Sequence, residues 1–536
     1  MLDDGFSGGK VKKYGFLFGA GAEIGYGMPS GGTFSLEIFL HDTAEGKKSF
    51  SAMLGKVSDK SPYATFWLPE NFKTKSVSAF GQQAFQRIIM DTMENRRQDI
   101  VESLNNFDEK IALKVCTSKQ REPEGIYKED LDKAFTLLGA ETAQGTSVSI
   151  AYNDALKRGN PLFLNKYFSQ LILAYHNCHY SDVKNLLGSM IKSLLQLHAG
   201  ALCSTLSHNV NDSFFERKGV ATNLLDELFD ENGFLLEVNY SSAGAFGLHV
   251  LRDMELKLPM IKYEEGEIGD ALKTVLHFAG RCMKYVFGSM LSYRSLIDEY
   301  WHYLYAPSSD WAKFCKISVF LNSVRSYIEA EQDKSLKRMQ EHPAQGYYDV
   351  LAHARAAGRL EACGIATTNY TLFSDKKLGH EIVHLNGAVD HCYDPWKNRC
   401  IDADEAKAAT NDSRFLVPLL FTQSGTKAMT DASLMTKYVQ LYARWQNCSV
   451  VTTVGYSFGE EDAHINSMLS SLVDECEKNL VVVILKDSDL TEEDIARKAR
   501  ILHKERIRII RVSKDGFLPV NASGVVRNWL DALLEI

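Results

Sequence analysis

The sequence predicts an α/β protein: a buried, mostly parallel sheet whose first βα unit is separated from the rest by a large helical insertion. Three observations carry this. A short aromatic-rich apolar run, "YGFLFG", ends in a glycine cluster and is followed by a helix-like stretch, "TFSLEIFLHD", which is the strand, glycine turn, helix order of a nucleotide-binding βα unit. The middle of the chain repeats apolar residues at three- and four-residue spacing, the period of amphipathic helices. The last part alternates β-branched runs with helical segments, as strands buried on both faces and joined by helices do.

The chain therefore divides into 1–45, the first part of the α/β domain, 46–345, a mostly helical insertion, and 346–536, the second part. In the insertion, "SAFGQQAFQRIIMDTMENRRQDIVESLNNF", "PLFLNKYFSQLILAYHN" and "DVKNLLGSMIKSLLQLHAGAL" read as helices. "GFLLEVNYSSAGAFGLHVLRDMELKL" breaks the pattern and reads as a hairpin. In the third part, "ACGIATTNY", "HEIVHLNG", "FLVPLLF", "CSVVTTVGYSF", "NLVVVILKD" and "RIRIIRVS" read as strands of one sheet that also takes in the first unit.

Bulk properties narrow the function. The 536 residues are 45% hydrophobic, with a net charge of −8. Nothing global gives the basic footprint of a nucleic-acid binder. No run of about 20 apolar residues exists to span a membrane, and the acidic, glycine-rich start is not a signal peptide. Ten cysteines without repeating spacing read as reduced thiols, and hence as a cytoplasmic protein.

Three constellations carry chemistry. In "GAGAEIG", Gly19–Gly25, glycines let the backbone turn tightly against a pyrophosphate, though a plain glycine turn fits the residues as well. "TTNY", Thr367–Tyr370, ends a strand, where ligands of open α/β sheets bind; Asn369 there either holds a ribose hydroxyl or water or makes an Asx turn. "GYSFGEEDAHIN", Gly455–Asn466, ends another strand, with carboxylates at a helix start that serve equally as caps.

The order of these pieces, "GAGAEIGYGMPSGG", "TTNYTLF", "HLNGAVD" and "GYSFGEED", resembles the sirtuin (SIR2) fold, and more closely its bacterial SIR2-like antiphage-defence branch. The branch typically reads GAGAS with a following proline, TxNYD, LHGS and GYS with a downstream acid. The resemblance implies a Rossmann-like SIR2 sheet and an NAD+ hydrolase that releases nicotinamide. It implies that NAD+ is the substrate and that no metal is needed. Gly19, Ala20, Gly21, Glu23, Pro29, Thr368, Gly455, Tyr456 and Ser457 would then bind the dinucleotide. Asn369, His384 and Asn386 would be the catalytic set.

The departures are specific. Glu23 stands at the loop serine, Thr371 follows the NY pair, and Asn386 stands where the family's catalytic histidine precedes its glycine. His384 lies two residues upstream. On an extended strand the two would share a face roughly 6–7 Å apart, so His384 is either a displaced base or an ordinary strand histidine. No CxxC pair exists for the zinc ribbon of deacylase sirtuins, and His384, His391, Cys392 and Cys400 fit no structural zinc spacing.

A free NADase is toxic. The resemblance therefore implies gating, by a homo-oligomer or by a defence partner such as an ATPase, an Argonaute-like or a nucleotide-sensing protein. Two other classes stay open: a non-catalytic NAD or ADP-ribose sensor subunit, and a protein-directed ADP-ribosyl or deacyl transferase.

Overall fold

The computed structural model describes residues 12–29, 31–40, 43–116, 126–140, 161–206, 240–290, 294–341, 346–379, 382–409, 414–420, 431–486, 488–519 and 526–536. They form two compact units. The first draws on 1–31, 41–80 and 294–536; the second on 32–40 and 81–293. The stretch 46–345 thus contributes to both.

Among its described residues the first unit has nine strands: β1 Lys13–Phe18, β2 Glu361–Thr367, β3 Ile382–His384, β4 Cys392–Asp394, β5 Arg399–Ile401, β6 Val417–Pro418, β7 Val450–Val454, β8 Asn479–Leu485 and β9 Ile507–Val512. Six of them form a parallel sheet in the order β3-β2-β1-β7-β8-β9. Numbered within the sheet this is 3-2-1-4-5-6, the order of doubly wound dinucleotide-binding sheets, in which ligands sit beyond the strand C-termini where the order reverses. Here that point lies between β1 and β7.

Both faces are covered because successive side chains of a strand point to opposite sides. Tyr14, Phe16 and Phe18 join Ile365, Val481 and Ile510 in a core closed by the helices Tyr347–Ala356 and Trp529–Glu535. Leu17, Ala366, Val451, Leu480 and Val482 pack against the helices Ala432–Gln446, Ala463–Asp474 and Glu492–Ala499. On this second face Trp445 is fully buried and its indole N–H donates to the Gly364 carbonyl at 3.1 Å. A Cβ on Gly15 would lie 2.4 Å from the Trp445 ring, so a bare backbone at Gly15 is what admits the indole.

Two strand expectations are corrected. "FLVPLLF" supplies β6, which lies in a separate antiparallel sheet of order β5-β4-β6. Pro418 has no N–H to give a ladder, and β6 is an edge strand, where proline is tolerated. The hairpin expected near 233–258 is a helix over Tyr240–Lys257; residues 233–239 lie outside the described ones. Leu248, Leu251 and Met254 of that helix are buried at three-residue spacing, which is helical periodicity.

The second unit is helical. Ser181–Leu206 packs on Tyr240–Lys257, and Glu267–Met290 on Lys128–Leu137. Within it Lys284 bridges Glu37 at 2.9 Å and Glu255 at 2.5 Å. Among the described residues no helix is long and apolar enough to cross a membrane.

Candidate functional site

The segments expected to bind a nucleotide meet at the C-terminal ends of β1, β2, β3 and β7. The chain leaves β1 into a 3-10 helix, Ala20–Tyr26. The Gly19 N–H donates to the Val454 carbonyl and the Gly21 N–H to the Gly455 carbonyl, each at 2.9 Å. The two glycine loops are therefore sewn together. A Cβ on Gly19 would lie 2.6 Å from the Gly455 oxygen, and one on Gly455 would lie 2.3 Å from the Ala22 nitrogen. Gly455 also has φ +62°, a conformation glycine adopts at no steric cost. The glycines are thus required by backbone contact with each other. Two of the N–H groups expected to cradle a pyrophosphate are engaged in that contact.

Asn369 follows β2 and is buried. Its backbone N–H donates to the Thr367 hydroxyl at 3.0 Å, which in turn donates to the Phe18 carbonyl at 3.1 Å. Its side-chain amide donates to the Gly19 carbonyl at 3.0 Å and to the Tyr348 hydroxyl at 3.2 Å. Asn369 therefore ties β2 to the glycine loop of β1 and to the helix Tyr347–Ala356.

Glu23 is 3% exposed. It accepts from the Tyr348 hydroxyl at 2.9 Å and from the Thr371 hydroxyl at 2.7 Å on each oxygen. Burial pushes this carboxyl up to about 7. Hydrogen bonds from Thr371, Tyr348 and Asn369, and the charge of His384, oppose that rise. A carboxyl balanced near neutrality takes and releases protons under ordinary conditions.

His384 closes β3 with both ring nitrogens engaged. Nδ1 lies 3.1 Å from the Asn369 carbonyl oxygen and Nε2 lies 2.8 Å from Asp375 Oδ2. Two acceptors facing one imidazole favour the doubly protonated ring. Burial works against that charge, but the hydrogen bond and charge of Asp375 outweigh it and the pKa is raised. The role expected for His384, proton acceptor, needs a nitrogen lone pair, and here both nitrogens face oxygen acceptors. His391, whose ring centroid lies 5.6 Å away, is pushed down to about 4, first by burial and then by the charge of His384.

The expected shared face of His384 and Asn386 does not form. The strand stops at His384, the chain bends at Leu385 and Asn386, and Gly387 takes φ +89° at a place where a Cβ would lie 2.0 Å from the Leu419 carbonyl oxygen. Asn386 is buried and its amide lies 3.5 Å from the Thr368 carbonyl.

Of the remaining expected residues, Ala20 and Ser457 are exposed, and Pro29, Thr368 and Gly455 are half-buried. Tyr456 is buried and turned to another partner, Asn466 Oδ1, at 2.9 Å. Tyr348, Thr371 and Asp375 complete the network without having been expected in it. Tyr348 stands at the start of a helix in "GYYDV", and no local pattern marks it. Asp375 and His384 also line a groove of about 830 Å³ beside the short strand β3, together with Lys437, Asp390 and the first residues of β2.

No protein-family model matches this chain, and no curated protein matches it.

Proposed function

We propose that the chain is a SIR2-like NAD+ hydrolase that binds the dinucleotide beyond the C-termini of β1, β2 and β7 and releases nicotinamide. The observation that carries this reading is the convergence of Glu23, Asn369, Thr371 and Tyr348 at the C-terminal ends of β1 and β2, one strand from the reversal point of a 3-2-1-4-5-6 sheet. The exposed Ala20 and Ser457 and the half-buried Thr368 suit contacts to phosphate and ribose.

Nicotinamide leaves a cationic glycoside as a neutral molecule, so no acid is required. The protein must desolvate and twist the ribose, stabilise an oxocarbenium-like state and present water. Asn369 has both amide hydrogens committed inward, which leaves Oδ1 as the atom it can offer a ribose hydroxyl or a water. Glu23, with a pKa of about 7, suits the proton released when water adds. His384, as an imidazolium paired with Asp375, holds the Asn369 backbone in place. Activity of this kind serves antiphage defence by NAD depletion, gated through oligomerisation or a partner.

A second reading is favoured by one specific observation. With His384 locked and the Gly19 and Gly21 N–H groups engaged, the same site suits a sensor that binds NAD+ or ADP-ribose without turnover.

The test is nicotinamide release from NAD+ by purified protein at high concentration, with calorimetric NAD+ and ADP-ribose binding in parallel. Hydrolysis predicts turnover that falls at least about 100-fold in N369A. Binding without turnover selects the sensor. Neither binding nor turnover sinks both readings.

A further inference from the structure

We propose that Tyr348 is a positioning residue: its hydroxyl, held between the Asn369 amide and the Glu23 carboxylate, fixes the direction in which Asn369 presents its side-chain oxygen. The inference deepens the reading above, because it rests on Asn369 being the residue that meets the ribose or the water.

The argument is one of hydrogen-bond polarity. A phenol has one proton and accepts through its oxygen. Tyr348 gives its proton to Glu23 Oε1 at 2.9 Å, so its oxygen is free to accept from Asn369 Nδ2 at 3.2 Å. With the Gly19 carbonyl accepting from the same amide at 3.0 Å and the Glu23 carboxylate drawing on it too, the N–H groups of Asn369 point inward. Protonating Glu23 on Oε1, the oxygen that accepts from Tyr348, disturbs this arrangement. If the new carboxylic proton is given to the Tyr348 oxygen, the phenol proton is displaced toward the Asn369 amide, where donor meets donor. With Oε1 left unprotonated, all three groups agree.

Tyr348 is built to hold this place. It is fully buried, its ring stacks on Tyr26 at 5.4 Å and meets Phe18 edge-on at 4.8 Å, and its backbone N–H donates to the Tyr26 hydroxyl at 3.0 Å. Tyr26 in turn donates to Asp349, which is paired with Lys377 at 2.6 Å. The titratable groups acting on Glu23 and Tyr348 are Tyr26 from the same 3-10 helix as Glu23, Tyr348 itself from the helix behind, and His384, paired with Asp375, from β3. Burial, opposed by its hydrogen-bond donors, balances Glu23 near neutral pH.

Thr371 supplies the control. It donates to the same carboxylate, and its hydroxyl is part of no bond to Asn369. Two readouts separate the roles. Infrared difference titration follows the carboxylic C=O band of Glu23, identified by its absence in E23Q. Loss of one donor to a carboxylate predicts an upward shift of the midpoint by about one to two pH units in both Y348F and T371V. The second readout is the plateau above both midpoints, where Glu23 is ionised. There NAD+ turnover, or ADP-ribose affinity where turnover is absent, falls at least about tenfold further in Y348F than in T371V.

Equal plateaus in the two variants overturn the positioning role, as does an unmoved band in Y348F. Should the wild type neither bind nor hydrolyse the dinucleotide, the proposed function fails, and the infrared arm still decides whether Tyr348 controls the Glu23 carboxyl. T371V keeps the aromatic stack intact, so the comparison does not depend on one variant folding.

Discussion

His384 Nε2 lies 2.8 Å from Asp375 Oδ2, with the imidazole almost fully buried and the carboxylate mostly so. Each partner holds the other charged. Burial works against both, yet the pKa of His384 is raised and that of Asp375 lowered. The raised histidine stabilises the fold below its unfolded pKa, about 6.5, and that contribution is lost as pH rises through the folded value. The lowered carboxylate stabilises above about 3.8 and is lost as pH falls through its own folded value. The pair is therefore at full strength in mild acid. D375N is expected to cost about 3 kcal/mol at pH 6, measured by urea unfolding. The gap from wild type should narrow at pH 9; a gap that is constant with pH would remove the charge pair as its cause.

Glu23 has the opposite linkage for a carboxylate. Its pKa rises from 4.5 to about 7 on folding, so its contribution is complete below 4.5 and is lost as pH climbs through 7. A shift of that size corresponds to about 3 kcal/mol. Unfolding of wild type and E23Q across pH 4 to 8 should show wild type losing about that much relative to the variant. Parallel pH curves would mean that Glu23 is not held as described.

Gly455 and Gly55 predict effects of opposite sign for one substitution. Gly455 combines φ +62° with backbone in the way of any Cβ. G455A should destabilise by more than about 3 kcal/mol or abolish soluble protein. Gly55 lies in the helix Ala44–Lys56, and nothing stands within 4 Å of the place a Cβ would take there. G55A should raise stability by about 0.5–1 kcal/mol. Thermal melts of the two variants side by side are the check.

Trp445 supports β1 and β2 from below through Gly15 and Gly364. W445F opens a void and leaves the Gly364 carbonyl without the indole donor, with an expected cost of about 2–4 kcal/mol. Chemical denaturation of W445F measures it. A loss under about 1 kcal/mol would mean that the strands close over the gap.

The parts of this fold that were legible in the sequence are those with a local period. "YGFLFG", "CSVVTTVGYSF" and "NLVVVILKD" are continuous apolar runs and became β1, β7 and β8 in the buried middle of the sheet. What escaped was set by partners far along the chain. "FLVPLLF" has strand composition, but its proline and its pairing with Cys392 and Tyr393 sent it to another sheet. The segment at 240–257 has two glycines and a valine in view, and packing on neighbouring helices decided it. In the site, Asn369 and Glu23 were visible beside strand ends. Tyr348 was not, because its bond to Glu23 spans 325 positions and nothing local marks it. The locked state of His384 was hidden for the same kind of reason: its Asp375 partner sits in a short helix, Phe373–Leu378, of ordinary composition.

The position of β1 at the centre of the sheet governs how this protein is made. Its neighbours are β2, complete at residue 367, and β7, complete at 454. At about 5–20 residues per second, the aromatic segment Lys13–Phe18 waits on the order of 20–90 s after its own synthesis before both neighbours have been added. During that time the helices of 81–293 are already available to form their own unit. A nascent chain of this design carries an exposed, strongly apolar strand through most of translation. Its yield should therefore depend on holdase chaperones and on temperature more steeply than the finished fold does.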